Sequence, residues 1–240
     1  MAGGSPQIVL SCLRPQGRRS FTCAHELGHH IFGHGQQFDE MKSDRAARRV
    51  VSPVEFVADC FAAYFLMPKV AIENGMARRG IRYETLQPAQ VYALASWLGV
   101  GYKTLISHLR FGLKRITPTQ AEALNEWSPA SLRPIISGRH LTGHLHLVDF
   151  NWVGRALDCE VGDFLMIPAE CTREGRALGP VETAGPRKLL RIQEPGIARL
   201  SCDSQNWAMF VRASKQRYVG RSRYRFEETV DADDDSPFDI

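Results

Sequence analysis

The chain has 240 residues, 44% hydrophobic and 23% charged, the balance of a globular protein able to bury a core in one large or two small domains. Lys and Arg number 30 against 26 Asp and Glu, an excess too small to mark a nucleic-acid-binding protein by charge alone. Six cysteines form no CxxC pair and no run approaches a membrane span, which argues against a disulfide framework, a cysteine metal site or a membrane protein and leads us to expect a cytoplasmic chain with reduced thiols.

The first predicted element is a strand over Gln7–Leu13, closed by a turn rich in Pro, Gly and Arg. It leads into FTCAHELGHHIFGH, Phe21 to His34, a helical stretch. His25 and His29 are four residues apart, so at roughly 100° per residue both side chains emerge from one face, one turn removed, where two imidazoles can converge on a tetrahedral Zn²⁺. Glu26 completes an HExxH pattern, in which the glutamate is the general base that takes a proton from water rather than a ligand. By the same arithmetic His30 and His34 point away from His25 for as long as the helix continues. Phe32 and Gly35 stand where the longer HExxHxxGxxH pattern needs Gly and His, so a third histidine ligand is not expected at that spacing.

Gly33 to Val51 reads as a loop ending in Arg45, Arg48 and Arg49, a solvated face rather than a substrate contact. SPVEFVADCFAAYFLMP follows, from Ser52 to Pro68, with Ser52 as N-cap, Pro53 in the first helical position and Pro68 as the stop. Glu55 and Asp59 share one face of this helix, the arrangement in which one carboxylate ligates zinc and the other holds a ligating histidine through its distal N–H. The rest of the helix is densely apolar (Val54, Phe56, Val57, Phe61, Phe65), so it is expected to be buried.

RRSFTCAHELGHHIFGH and VEFVADCFAAYFLMP together resemble the ImmA/IrrE family of metallo-endopeptidases, whose signature pairs an FTxAHExGH helix with an ExxA(N/D)xFAxxLLMP helix. The resemblance covers roughly the first half of the chain. It implies a zincin-like fold, Zn²⁺ as cofactor, His25, His29 and Glu55 as ligands, Glu26 as general base and Asp59 behind a ligand, although Asp59 stands where many relatives have Asn. It also implies a protein substrate, in several relatives a helix-turn-helix repressor whose cleavage releases its target genes. In gluzincin-like proteases an edge strand aligns the extended substrate, a role for which Ile8–Leu13 is the candidate. Tyr64 and His30 are candidate oxyanion donors.

Beyond Pro68, a short helix is expected over Val70–Arg79, closed by Gly80. Gln87–Lys114 then reads as helix, glycine turn at Gly99–Gly101, and helix, a helix-turn-helix outline whose second helix would offer Tyr102, Lys103, Thr104, His108 and Arg110. Contact with DNA through Tyr102–Arg110 is the alternative to a structural or substrate-docking role. A helix is expected over Pro118–Trp127, and Ser128–Gly138, with two prolines, reads as a linker. Short runs then alternate with Gly, Pro and charged turns: His144–Phe150, Phe164–Ile167, Lys188–Ile192, Ala198–Ser201, Ala208–Arg212 and Tyr224–Phe226, the texture of a small β-rich domain. His140, His144 and His146 suggest a second metal site, but three histidines in seven residues are more often surface or core. DADDDSPFDI ends the chain as an acidic tail expected to be disordered.

The expected architecture is α+β: a mainly helical zincin-like core over 1–86, a helix-turn-helix-like segment and linker over 87–138, a β-rich sensing or docking domain over 139–228 and a tail over 229–240. The expected function is that of a zinc endopeptidase acting on a repressor. A DNA-binding regulator with a silent metal site, or a peptidase acting on a toxin or phage protein, is the alternative.

Overall fold

The computed structural model describes residues 6–35 and 52–227, so the basic cluster Arg45, Arg48 and Arg49 and the acidic tail from Asp231 fall outside the described residues. The fold is α+β, in two compact units, Met1–Leu132 and Arg133–Ile240.

The first unit is helical. Residues 6–15 are extended chain and turn, so the strand expected over Gln7–Leu13 does not form. Val9 and Leu13 are exposed there, and an isolated run finds no ladder to join. Helix α1, Gln16–Ile31, buries Ala24, His25, Gly28 and His29. Helix α2, Pro53–Leu66, starts as its sequence dictates: the Ser52 hydroxyl accepts the Glu55 amide, with Pro53 in the first turn. It is not a buried helix. It inserts only Ala58 and Ala62, while Phe56 is 60% and Phe65 58% exposed. Small residues on its inner face let it lie close to α1, and its large apolar ones are turned outward.

Helix α3, Lys69–Ala77, precedes α4, Pro88–Leu98, which Gln87 and Gln90 cap reciprocally. Gly99, at φ 71°, ends α4 in the left-handed conformation that a Cβ disfavours. Helix α5, Tyr102–Ser107, continues into a wider π-type turn over His108–Gly112, and α6 spans Pro118–Asn125. Leu94, Leu105, Ile106, Leu109, Ile72 and Met67 are fully buried. Tyr102 belongs to this core, its hydroxyl donating to the Leu124 carbonyl at 2.9 Å, and burial pushes its phenol up to about 12. His108 is buried with Nε2 3.0 Å from the Met67 carbonyl, and burial lowers its pKa. Two side chains of the presumptive DNA-facing set thus hold the helices together, while Lys103 stays exposed and Arg110 is half-buried.

The stretch read as a linker contains α7, Pro129–Ser137. Ser128 and Ser131 exchange amide-to-hydroxyl bonds at 3.1 and 2.9 Å, and Pro129 follows the cap, where its missing N–H costs nothing. Pro129 therefore marks the start of a helix rather than a break, and Pro134 lies inside it.

The second unit holds two four-stranded mixed sheets. Its strands are β1 (Leu145–Leu147), β2 (Leu157–Glu160), β3 (Phe164–Pro168), β4 (Thr172–Glu174), β5 (Leu178–Ala184), β6 (Arg187–Ile192), β7 (Gly196–Cys202) and β8 (Trp207–Ser214). One sheet is ordered β1-β3-β6-β5, the other β2-β8-β7-β4, with β1 parallel to β3, β2 parallel to β8 and the remaining pairs antiparallel. Along β8 residues Trp207, Met209, Val211 and Ala213 are buried while Ala208 and Phe210 are exposed, the period-two pattern of a sheet with one face on a core. Tyr224–Phe226 is not a strand: a 3-10 turn over Ser222–Tyr224 brings Arg225 to Asp158 and over the ring of Phe226 at 4.4 Å.

Helix α1 rests at its start on the α4–α5 turn. A Cβ at Gly17 would lie 2.6 Å from the Val100 carbonyl carbon and 2.8 Å from the Gly101 nitrogen, both backbone atoms. Alanine improves helix propensity by roughly 1 kcal/mol, but the clash outweighs it, and Gly17→Ala is expected to lose a net 1–2 kcal/mol or so. A lower urea midpoint at unchanged slope is the expected result, whereas an unchanged or higher midpoint would refute the close approach.

Candidate metal centre

Helix α1 places His25 and His29 one turn apart with their rings edge to face, centroids 4.6 Å apart. Their Nε2 atoms are 2.9 Å apart. Glu55, in the first turn of α2, brings Oε2 to 3.3 Å from His25 Nε2 and Oε1 to 3.7 Å from His29 Nε2. The three residues offer ligand atoms all within 4.8 Å of one another, a group able to hold a metal ion. Donors bound tetrahedrally at about 2.0–2.1 Å are some 3.3 Å from each other, and the observed separations fall on either side of that value.

The distal nitrogens are also engaged. His25 Nδ1 lies 2.8 Å from Asp59 Oδ1, one turn along α2 from Glu55. That hydrogen bond raises the His25 pKa against the opposing effect of burial, with the charges of Asp59, Glu55 and Glu26 adding to the rise. Taking a metal at Nε2 therefore means displacing the Nε2 proton that the raised pKa favours, while the Nδ1 proton stays on its bond to Asp59. His29 Nδ1 lies 3.0 Å from His34 Nδ1. Helical arithmetic points His34 away from His25 only for as long as the helix continues. It ends at Ile31, and Gly33, at φ 66°, turns the chain back. The sequence signal was the glycine on each side of His34, a common C-terminal stop.

Glu26 is half-buried beside His25 on α1, whereas His30 is exposed. The Tyr64 hydroxyl donates to the Gly112 carbonyl at 2.9 Å and is committed there. Cys23 and Cys60 are free thiols, and no second group of metal-binding character occurs among the described residues. His140 and His144 are exposed. His146 Nε2 lies 3.1 Å from Asp163 Oδ2, and the same carboxylate accepts the amides of Glu160 at 2.9 Å and His144 at 3.2 Å. Asp163 thus ties the ends of β1 and β2 together instead of gathering histidines around a metal.

Residues 2–110 match a peptidase family described as the IrrE N-terminal-like domain. No curated protein and no solved structure matches the chain significantly. Among the described residues no helix is long and apolar enough to cross a membrane.

Burial alone would raise the Asp163 carboxyl, yet the hydrogen bond and charge of His146 and the Glu160 amide hold it below its ordinary 3.8. A depressed carboxylate contributes stability that is present above the unfolded value and is lost as pH falls through the lower folded value. Asp163→Asn should therefore cost about 1–3 kcal/mol at neutral pH, with the difference from wild type shrinking in increasingly acid solution and metal binding by the first unit unchanged. A cost that is the same at pH 7 and pH 3 in denaturant titrations would refute the assignment.

Proposed function

We propose that the chain, whose residues 2–110 match the IrrE N-terminal-like peptidase family, is a zinc-dependent endopeptidase of the ImmA/IrrE type. The observation that carries the reading is the convergence of His25 Nε2, His29 Nε2 and a Glu55 carboxylate oxygen from two helices. Two imidazoles and one carboxylate would hold zinc and leave a coordination position open; the same donors also suit iron(II), and the peptidase family together with the neighbouring Glu26 favours zinc. When bound, the ion supplies Lewis acidity that polarises the scissile carbonyl and acidifies a water molecule.

The chain's own residues do the rest. Glu26 is the general base, placed on the residue after His25, and it returns the proton to the leaving amine. Asp59 accepts the His25 Nδ1–H and so directs the other nitrogen of that ring toward Glu55. The substrate in this reading is a cytoplasmic protein, a helix-turn-helix repressor on the strength of the family resemblance, with its cleavage derepressing the genes it controls. The β-rich unit from Arg133 onward would sense a signal or dock the substrate.

The test is co-expression with helix-turn-helix repressors from the same genome and mass spectrometry of the products. Wild type should yield one defined cut, and Glu26→Gln should bind zinc as wild type does while cutting roughly 10²–10⁴-fold more slowly. A Glu26→Gln protein that cuts at the wild-type rate would remove the proposed base.

A further inference from the structure

We propose that His34 is a positioning residue for the metal centre: it accepts the Nδ1–H of His29 and so fixes that imidazole in the tautomer whose Nε2 lone pair faces Glu55. The proposal rests on the reading of His25, His29 and Glu55 as ligands. It concerns what holds the second ligand rather than what the ligands are.

A neutral imidazole has one N–H and one lone pair, and a ring that gives Nε2 to a metal must carry its proton on Nδ1. For His25 the acceptor is the Asp59 carboxylate, at 2.8 Å. For His29 the atom at hydrogen-bonding distance from Nδ1 is His34 Nδ1, at 3.0 Å. His34 then keeps its own proton on Nε2 and presents a lone pair to His29. The two distal partners come from different places, one from α2 and one from the segment that ends α1.

The backbone is built to deliver this ring. Past Ile31 the His34 amide donates to the His29 carbonyl at 3.0 Å and the Gly33 amide to the His30 carbonyl at 3.3 Å. This pair of bonds, with Gly33 left-handed at φ 66°, is a Schellman ending. It brings the residue after the glycine back over the last turn, so the residue whose carbonyl is capped is also the residue whose ring is met. Phe32 fixes the ring from its flat side, stacked on His34 at 5.7 Å and 27°, and itself stands edge-on to Phe61 of α2 at 5.8 Å. His34 is half-buried, its ring held by the backbone turn on one side and by the Phe32 face on the other.

The test measures zinc affinity by chelator competition in the full chain, alongside thermal unfolding of the metal-free protein. His34→Ala should weaken zinc binding about 10–100-fold. His34→Asn, whose Oδ1 takes the place of Nδ1, should recover most of that loss, with the metal-free melting temperature of both variants at the wild-type value. Long-range ¹H–¹⁵N spectra of zinc-loaded wild type should show His29 protonated at Nδ1, a readout that needs no variant to fold. Wild-type affinity in His34→Ala, an equal loss in His34→Asn, or zinc on His29 Nδ1 would each overturn the proposal. If instead His25→Ala leaves zinc binding unchanged, the metal-site reading itself fails and this proposal falls with it.

Discussion

The centre depends on how closely α2 can approach α1. Gly28 sits between the two histidines on the buried face of α1, and a Cβ there would lie 3.0 Å from Phe61 Cδ1 and 3.4 Å from the Ala58 Cα. With hydrogen on one side and alanines on the other, the helices close to a distance at which a short glutamate side chain reaches two imidazoles. A larger residue at Gly28 or Ala58 would push Glu55 outward, and a carboxylate displaced by 1 Å no longer shares a metal with both rings. The small residues of HELGH and of VADCFAA are therefore part of the chemistry, although none carries a functional group.

This closeness has an electrostatic cost that the surroundings offset. Two buried imidazoles with Nε2 atoms 2.9 Å apart cannot both be protonated at that contact, and Asp59 and Glu55 supply the negative charge that steadies a proton on His25. The half-exposed carboxylates stay solvated at their outer edges, which limits the desolvation penalty of gathering charge here. A divalent cation would replace the proton with a better match to the donor set. Helix α2 meanwhile turns Phe56, Phe65 and Tyr64 outward, an apolar surface running beside the carboxylates.

Most of the site was legible in the sequence because helical spacing is a strong constraint. The separations His25–His29 and Glu55–Asp59 each fix a face, and the Ser52–Pro53 start fixes where Glu55 falls in its helix. What escaped was set by packing. The apolar content of α2 does not say which face the helix turns inward, and although His34 stays out of the ligand group as helical spacing implies, its place beside His29 Nδ1 depends on a glycine conformation at the end of α1. In the second unit, three strands had gone unpredicted: β2, β4 and β5. All lie at sheet edges: β2 alternates but is only four residues long, β4 is three exposed polar residues, and β5 carries Pro180 beside a register shift, so none shows the sustained apolar run that marks an interior strand. The α+β class survived these omissions because the central strands β3, β6, β7 and β8 carry the apolar pattern.

The central claim is that two imidazoles and one carboxylate from α1 and α2 form a single metal site. Zinc-edge X-ray absorption of the full chain loaded with one equivalent of zinc tests it most directly. The account predicts a first shell of nitrogen and oxygen only, at about 2.0–2.2 Å, with outer-shell scattering from two imidazole rings. A sulfur shell at about 2.3 Å, which would bring Cys23 or Cys60 into the site, or scattering from three or more imidazoles, would contradict it.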